Sequence, residues 1–307
     1  MASETAAAAP QRSSPLIAVG LMLAACACIA ATTLMGKALG RGIGGEALHP
    51  LQISAGRFAF ALLTLTPILA WFRPSLRGAA WPVHIGRTVC GWGAVTTMFA
   101  AAAAMRLADA TAISFLSPMV AMVLAIPLLG EKVGPWRWGA AAIALTGALV
   151  LIRPGAEAFQ PVALVALASA CFMGVETILV KRLTGGANRA GEPMLRILAI
   201  NNTLGAAIAI TAASFVWIWP SPAQWALLAA IGTVMVTAQS MFILALRRGD
   251  ASFVVPLFYA TLVFAALYDF AVFGEVPTVV SASGAALIIT GAVVLAWRER
   301  VRGQSAS

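Results

Sequence analysis

Charge is what this chain has least of. Of its 307 residues only 10% are charged, against 61% apolar, whereas a soluble domain carries about 25% charged residues. A water-soluble core of this length does not need so much apolar surface, so the solvent for most of the chain is lipid. Histidine is nearly absent: His49 and His84 are the only two, and they fall near span ends on opposite sides of the membrane, which excludes a Ser-His dyad. The four cysteines, Cys26, Cys28, Cys90 and Cys171, all lie inside apolar runs and have no histidine at metal-ligand spacing, so they read as small buried hydrophobes. A phosphate-binding loop is also missing, so ATP is not used directly. The net charge of +9 does not make a nucleic-acid surface, because the basic residues stand singly or in pairs between apolar runs.

What the chain does have is an internal repeat. Ala104 to Pro154 reads as a charged turn, an uncharged run from Ala110 to Gly130, a Gly-Glu stop and a second apolar run; the same grammar returns from Ala245. Asp109 answers Asp250 at a shift of 141, and Gly130-Glu131 answers Gly274-Glu275 at 144. The shift of 144 also carries Thr33, Lys37 and Thr146-Gly147 onto Thr177, Lys181 and Thr290-Gly291. The second copy of the central helix is therefore expected to be longer by about one turn.

A bilayer core takes about 20 apolar residues per helix. On that measure ten spans fall near 15–37, 48–71, 82–105, 108–130, 136–152, 159–181, 194–217, 223–246, 251–273 and 277–297. The run at the first span resembles a signal peptide, but it continues to Gly36 and has a partner in the repeat, which argues against cleavage. Fourteen Lys and Arg, among them Arg73, Lys132, Lys181, Arg247 and Arg298, fall on the side of the N-terminus; four, Lys37, Arg41, Arg106 and Arg153, fall opposite. The positive-inside rule then puts both termini in the cytoplasm. Five spans per repeat make the halves antiparallel, giving an all-α membrane protein of two inverted five-helix repeats. Substrate sites lie at the interface between such repeats.

Ala110-Thr-Ala-Ile-Ser-Phe-Leu-Ser-Pro118 with Gly130-Glu131, then Pro256-Leu-Phe-Tyr259 with Phe273-Gly-Glu-Val-Pro277, give the chain its likeness to a family. Together with Arg57-Phe58, Gly147 and Gly291, they resemble the EamA-type branch of the drug/metabolite transporter superfamily over nearly the whole length. The resemblance implies a cytoplasmic tail at 1–14, a first repeat at 15–155, a second at 156–298 and a cytoplasmic tail at 299–307. It also implies an inner-membrane secondary carrier for a small organic metabolite, such as an amino acid, a flavin or an S-adenosylmethionine-like compound. Its cavity would be lined by spans three, four, eight and nine with parts of one and six. No cofactor is implied. A lipid or lipid-precursor flippase shares the architecture and is the alternative.

An intramembrane enzyme is the rival class. Tyr268-Asp269 matches half of an aspartyl protease pair, but the Gly-x-Gly-Asp half is absent, since Arg247-Arg248-Gly249-Asp250 has Arg where the first Gly must be. A channel would need rings of selectivity groups.

Candidate site residues follow from depth and spacing. Trp92 is the one tryptophan inside a span, near the midplane, and it shares a helical face with Thr96 and Phe99; it is either a stacking wall or a packing residue. Thr111, Ser114 and Ser117 step along span four to Pro118, while Ser252, Pro256 and Tyr259 form the mirrored stripe of span nine. Span eight adds Thr233, Thr237 and Ser240, with Gln239 beside them. Each hydroxyl alone can bond its own helix, but matched stripes point to a cavity. Arg57, about 10 Å into span two, needs a partner or water; it either contacts substrate or gate, or anchors through a carbonyl, Asn201 or Asn202. Glu176 and Asp269 are candidates for proton coupling, or else reach their interfaces. Lys37 reads as a snorkelling residue. Ala140, Ala144 and Ala148 with Gly139 and Gly147 make span five smooth, a packing or homodimer surface.

Overall fold

The computed structural model describes residues 15–129, 135–152, 161–183, 192–248 and 255–304. Among them, eleven α-helices and one 3-10 helix follow one another. The first repeat contains α1 (Pro15–Gly40), α2 (Pro50–Phe72), α3 (Trp81–Ala104), α4 (Leu107–Ser114), α5 (Ser117–Leu129) and α6 (Pro135–Ile152). The second contains α7 (Val162–Leu183), α8 (Met194–Ala213), α9 (Pro222–Arg248), the 3-10 turn Val255–Tyr259, α10 (Ala260–Phe273) and α11 (Val279–Gln304). Among the described residues, six helical stretches are long and apolar enough to cross a membrane. The terminal tail 1–14, Gly130-Glu131, Asp250 and Ser252 lie outside the described residues.

Two expected spans are not continuous helices. The span expected at 108–130 stops at Ser114 and restarts at Ser117. Pro118 is the cause: it has no N–H, and its ring would clash with the Ser114 carbonyl in an unbroken helix. The chain turns instead, with Phe115 N–H donating to Thr111 O and Ala112 O, and Leu116 N–H to Ile113 O. The second copy breaks in the same way, beginning as the 3-10 turn that contains Pro256 before α10 starts. The two breaks meet: the Phe115 ring lies edge-on to Tyr259 with centroids 5.0 Å apart. Elsewhere the helix signals are conventional. At α2 the His49 ring nitrogen accepts from Leu51 N–H, Pro50 takes the first turn, and Arg73 ends the helix in a left-handed conformation.

Helix pairing obeys an exchange of the two repeats. Helix α3 lies against α7 as α9 lies against α1; α2 lies against α9 as α8 lies against α3; α1 lies against α10 as α7 lies against α5. Helices α6 and α11 pair with each other. Side-chain contacts give the chain directions. Ser169 donates to Ala94 O while Leu179 lies beside Gly86, so α3 and α7 are antiparallel. Met22 clusters with Ala245, and Leu39 with Leu228, so α1 and α9 are antiparallel too. Leu228 packs on Gly56 and Thr233 meets Thr64, so α2 and α9 are parallel. Gln52 reaches Ile218 O and Phe58 packs on Gly205, so α2 and α8 are antiparallel. His84 meets Glu192 and Thr88 meets Asn201, so α3 and α8 are parallel. Together these contacts make α1, α2 and α3 run opposite to α7, α8 and α9, and the repeats are inverted.

The smooth face of α6 is used within the chain. Ala144, Gly147 and Ala148 are buried, and a Cβ at Gly147 would stand 2.6 Å from Gly284 O. Small residues let the two backbones approach that closely.

Candidate functional site

Three charged side chains converge inside the bundle. Arg57 lies seven residues, about 10 Å, from the start of α2; Arg87 lies six residues, about 9 Å, from the start of α3; Glu176 lies seven residues before the end of α7. Because α2 and α3 start on opposite membrane faces, Arg57 comes from one side and the Arg87–Glu176 pair from the other. Arg87 Nη2 stands 3.5 Å from Glu176 Oε1. The carboxylate fits there because Gly91 has no side chain; a Cβ on it would sit 3.0 Å from Oε1.

Arg57 is only 9% exposed. Its guanidinium lies over the Phe58 ring, 4.7 Å from the centroid, and makes no hydrogen bond or ion pair among the described residues. Arg87 Nε and Nη1, Trp92 Nε1 and Thr96 Oγ1 are buried polar atoms without a partner. The Glu176 side chain keeps 26% of its surface open. Two guanidiniums and one carboxylate leave this centre with one uncompensated positive charge and a set of unmatched donors.

The other expected residues are placed as follows. Phe99 is buried in a core with Leu39, Ile53, Leu228 and Ile231, with one edge of its ring against Gly36. Ser114 is buried at the break in the first repeat and donates to Thr111 O; Ser117 starts α5, half-buried. Tyr259 is half-buried, and with Phe115 it packs in the same core as Met98 of α3 and Ala170 of α7. That core joins the broken helices to α3 and α7, the helices that carry Arg87 and Glu176. On α9, Gln239 is half-buried and Ser240 is exposed, its hydroxyl bonded to Val236 O.

Asp269 belongs to a second charged cluster at the end of the bundle where α1 finishes. Lys37, expected to snorkel, is instead fully buried. Its Nζ lies 2.5 Å from Asp269 Oδ1 and 2.8 Å from Glu275 Oε2. Asp269 accepts a second bond from Leu107 N–H, and Arg41 Nη1 reaches Glu275 Oε1 at 2.6 Å. Snorkelling fails because two carboxylates of the second repeat arrive at the lysine. Burial alone would raise the Glu275 carboxyl, but the hydrogen bonds and charges of Lys37 and Arg41 outweigh it and hold Glu275 below the usual carboxylate range. Arg106 pairs with Asp109 and bonds Ser281. The lattice ties α1 and α4 of one repeat to α10, the following loop and the start of α11 of the other, beside an open pocket of about 360 Å³ lined by Arg41, Ala104, Met105, Arg106 and Glu275.

At the opposite end the tie is lighter. Glu192 accepts from Ala80 N–H, contacts His84 Nε2 at 3.0 Å and faces Arg196 at 3.7 Å. Burial pushes its carboxyl up, but these partners outweigh burial and hold it below the usual range. Among the described residues no group of His, Cys, Asp and Glu gathers that could hold a metal ion.

Sequence reasoning passed over Arg87 and the Lys37–Asp269 pair. A charge six residues into an apolar span is itself a signal, so Arg87 was within reach. The pair joins positions 232 apart, and one sequence carries no sign of it.

A helical membrane protein of two inverted repeats, with broken helices meeting between them and charge buried at mid-span, has the build of a transporter. The chain belongs to the EamA-like transporter family, whose pattern matches twice, over residues 16–153 and 160–297. It is 25% identical over 285 residues to an S-adenosylmethionine uptake transporter of Rickettsia bellii, covering 92% of this chain and 94% of the relative. It is 29% identical over 247 residues to a riboflavin transporter of Rhizobium johnstonii, covering 80% of each. It is 26% identical over 215 residues to the pseudopaline exporter CntI of Pseudomonas aeruginosa, covering 70% of this chain and 74% of that one. A solved crystal structure superposes with a TM-score of 0.60 at 22% identity, covering 94% of this chain and 99% of that one, which supports the fold. The protein is thus a multi-pass membrane transporter of small metabolites.

Proposed function

We propose that the protein is an inner-membrane secondary carrier with ten spans and both termini in the cytoplasm, moving a small organic metabolite such as an amino acid, a flavin or an S-adenosylmethionine-like compound. Its inverted repeats rock against each other about the centre formed by Arg57, Arg87, Trp92, Thr96 and Glu176. The observation that carries this reading is Arg57: a buried guanidinium with no hydrogen-bonding partner in the described chain. Burying an unmatched charge is costly, and a site that binds and releases a substrate is where such a cost is retained. The Lys37–Asp269–Glu275 lattice closes one face in this state, and its release opens that face.

The test is a thermal-shift screen of detergent-purified protein against amino acids, nucleosides, flavins and S-adenosylmethionine. A ligand that binds only the folded state stabilises it by about 2.7 kcal/mol at a hundredfold excess over its Kd. One class of hits, lost in Trp92→Ala, supports the carrier. No hit, with a shift by lipid-linked precursors, overturns it in favour of a flippase.

A further inference from the structure

We infer that Arg57 and Arg87, with Glu176 as internal counter-charge, form a receptor for the carboxylate of a substrate whose planar body stacks on Trp92. The inference rests on the carrier reading and narrows its substrate class.

Charge comes first. Glu176 faces Arg87 at 3.5 Å and compensates one of the two guanidiniums, so one positive charge is left. A single anionic group balances it. A phosphate monoester, with a charge of about −1.5 to −2 at neutral pH, would turn the buried centre negative. A wholly neutral ligand could accept hydrogen bonds from Arg57 but would leave its charge uncompensated.

Hydrogen-bond geometry points the same way. Arg87 presents Nε and Nη1 without acceptors; they lie on different edges of the guanidinium, with the Nη2 between them facing Glu176, so each offers a separate N–H donor. Among the described residues Arg57 has no protein acceptor for its N–H groups, and its guanidinium lies over the Phe58 ring. Guanidinium edges match the two oxygens of a carboxylate, and the pair is planar and bidentate. Phe58 holds Arg57 by its face, so the edges stay available.

The body of the substrate is read from α3. Trp92 and Thr96 lie one turn apart on α3, the helix that carries Arg87, each with an unmatched polar atom. The indole offers a rigid wall and one N–H donor; the hydroxyl both donates and accepts. A flat ring fits against the indole face and a polar atom at its edge can reach the Thr96 hydroxyl one turn away, where an alkyl chain would leave that hydroxyl unmet.

The experiment uses full-length protein in detergent and probes paired so that only the carboxylate differs: indole-3-acetate against indole-3-acetamide, and S-adenosylmethionine against its decarboxylated form. Riboflavin serves as a planar probe without a carboxylate and benzyl phosphate as a phosphate probe. At least one carboxylate is expected to raise Tm, with its partner binding about tenfold to hundredfold more weakly, the range for a hydrogen bond to a charged group. In Arg57→Gln, which removes an unmatched charge and so is expected to fold, the two members of each pair bind alike. Arg57→Lys keeps the charge but not the fork and regains only part of the preference. Equal binding of the paired probes, binding of benzyl phosphate in place of the carboxylates, an undiminished preference in Arg57→Gln, or no shift with any carboxylate at millimolar concentration each overturns the receptor. Uptake into proteoliposomes separates the two readings: flux of carboxylate-free probes at full rate sinks the receptor and leaves the carrier, whereas carboxylate-selective binding without flux of any probe sinks the carrier.

Discussion

Replacing Lys37 by Met should destabilise the protein far more than a typical membrane-facing lysine would. Lys37 and Asp269 have side-chain exposures of 0% and 2% and lie 2.5 Å apart. Solvent screening therefore gives no relief when one of them is removed. In Lys37→Met, Asp269 keeps only the bond from Leu107 N–H, while Glu275 retains Arg41. Stranding one member of a buried ion pair costs about 3–5 kcal/mol. The converse variant, Asp269→Asn, leaves the ammonium with Glu275 alone and falls at the lower end of that range. The double variant strands no charge, since the introduced amide still accepts from Leu107 N–H, and a neutral replacement of a buried pair is often close to neutral in stability. Because the double variant is close to neutral while each single loses about 3 kcal/mol or more, the cycle predicts a coupling of about 6 kcal/mol, read by equilibrium unfolding in mixed micelles with helical circular dichroism as the signal. Single losses below about 1 kcal/mol that simply add, the behaviour of an exposed pair, would refute the reasoning.

Three further outcomes are expected. Gly147→Ala places a methyl 2.6 Å from Gly284 O and should cost about 1–3 kcal/mol by forcing α6 from α11, whereas Gly139→Ala, with open space around it, should be neutral or stabilising; the two melting curves give the comparison. Glu192 lies below its ordinary value of 4.5 in the fold, so its stabilising contribution is full above 4.5 and is lost as pH falls through the lower folded value; the Tm difference between the natural protein and Glu192→Gln should narrow over that acid range, and a difference constant through it would count against the His84–Glu192–Arg196 tie. Trp92→Ala should impair transport and, because Trp92 packs against the core of Ala55, Phe58, Ala206, Ala209 and Ala213, lower stability by about 3–5 kcal/mol; normal flux from a well-expressed variant removes the stacking wall.

The parts of this molecule that were legible in the sequence are those carried by local patterns. Apolar run length, the Gly-Glu stops and the shift of 144 mark the repeats and their helices, because a chain in lipid must satisfy its backbone within each span. Pro118 and Pro256 marked the two breaks, although the spans around them were expected as continuous. Arg57, Trp92 and Glu176 stood out by depth alone. What stayed hidden was pairing across distance. Lys37 looked like a residue that reaches for water, since nothing near it in the chain is acidic; its carboxylates come from the far end of the second repeat. The repeat could not reveal this either, because a shift of 144 carries Asp269 onto Ala125. Phe99 shares a helical face with Trp92 yet fills a packed core on Gly36, and only the position of α1 decides that.

The most direct test of the carrier account is flux through purified protein in sealed proteoliposomes, with each ligand that shifts Tm offered outside in radiolabelled form. Saturable accumulation is expected, which unlabelled ligand competes away and which Trp92→Ala loses while remaining folded. Absence of flux for every bound ligand, together with movement of a fluorescent lipid between leaflets by the same vesicles, would contradict it.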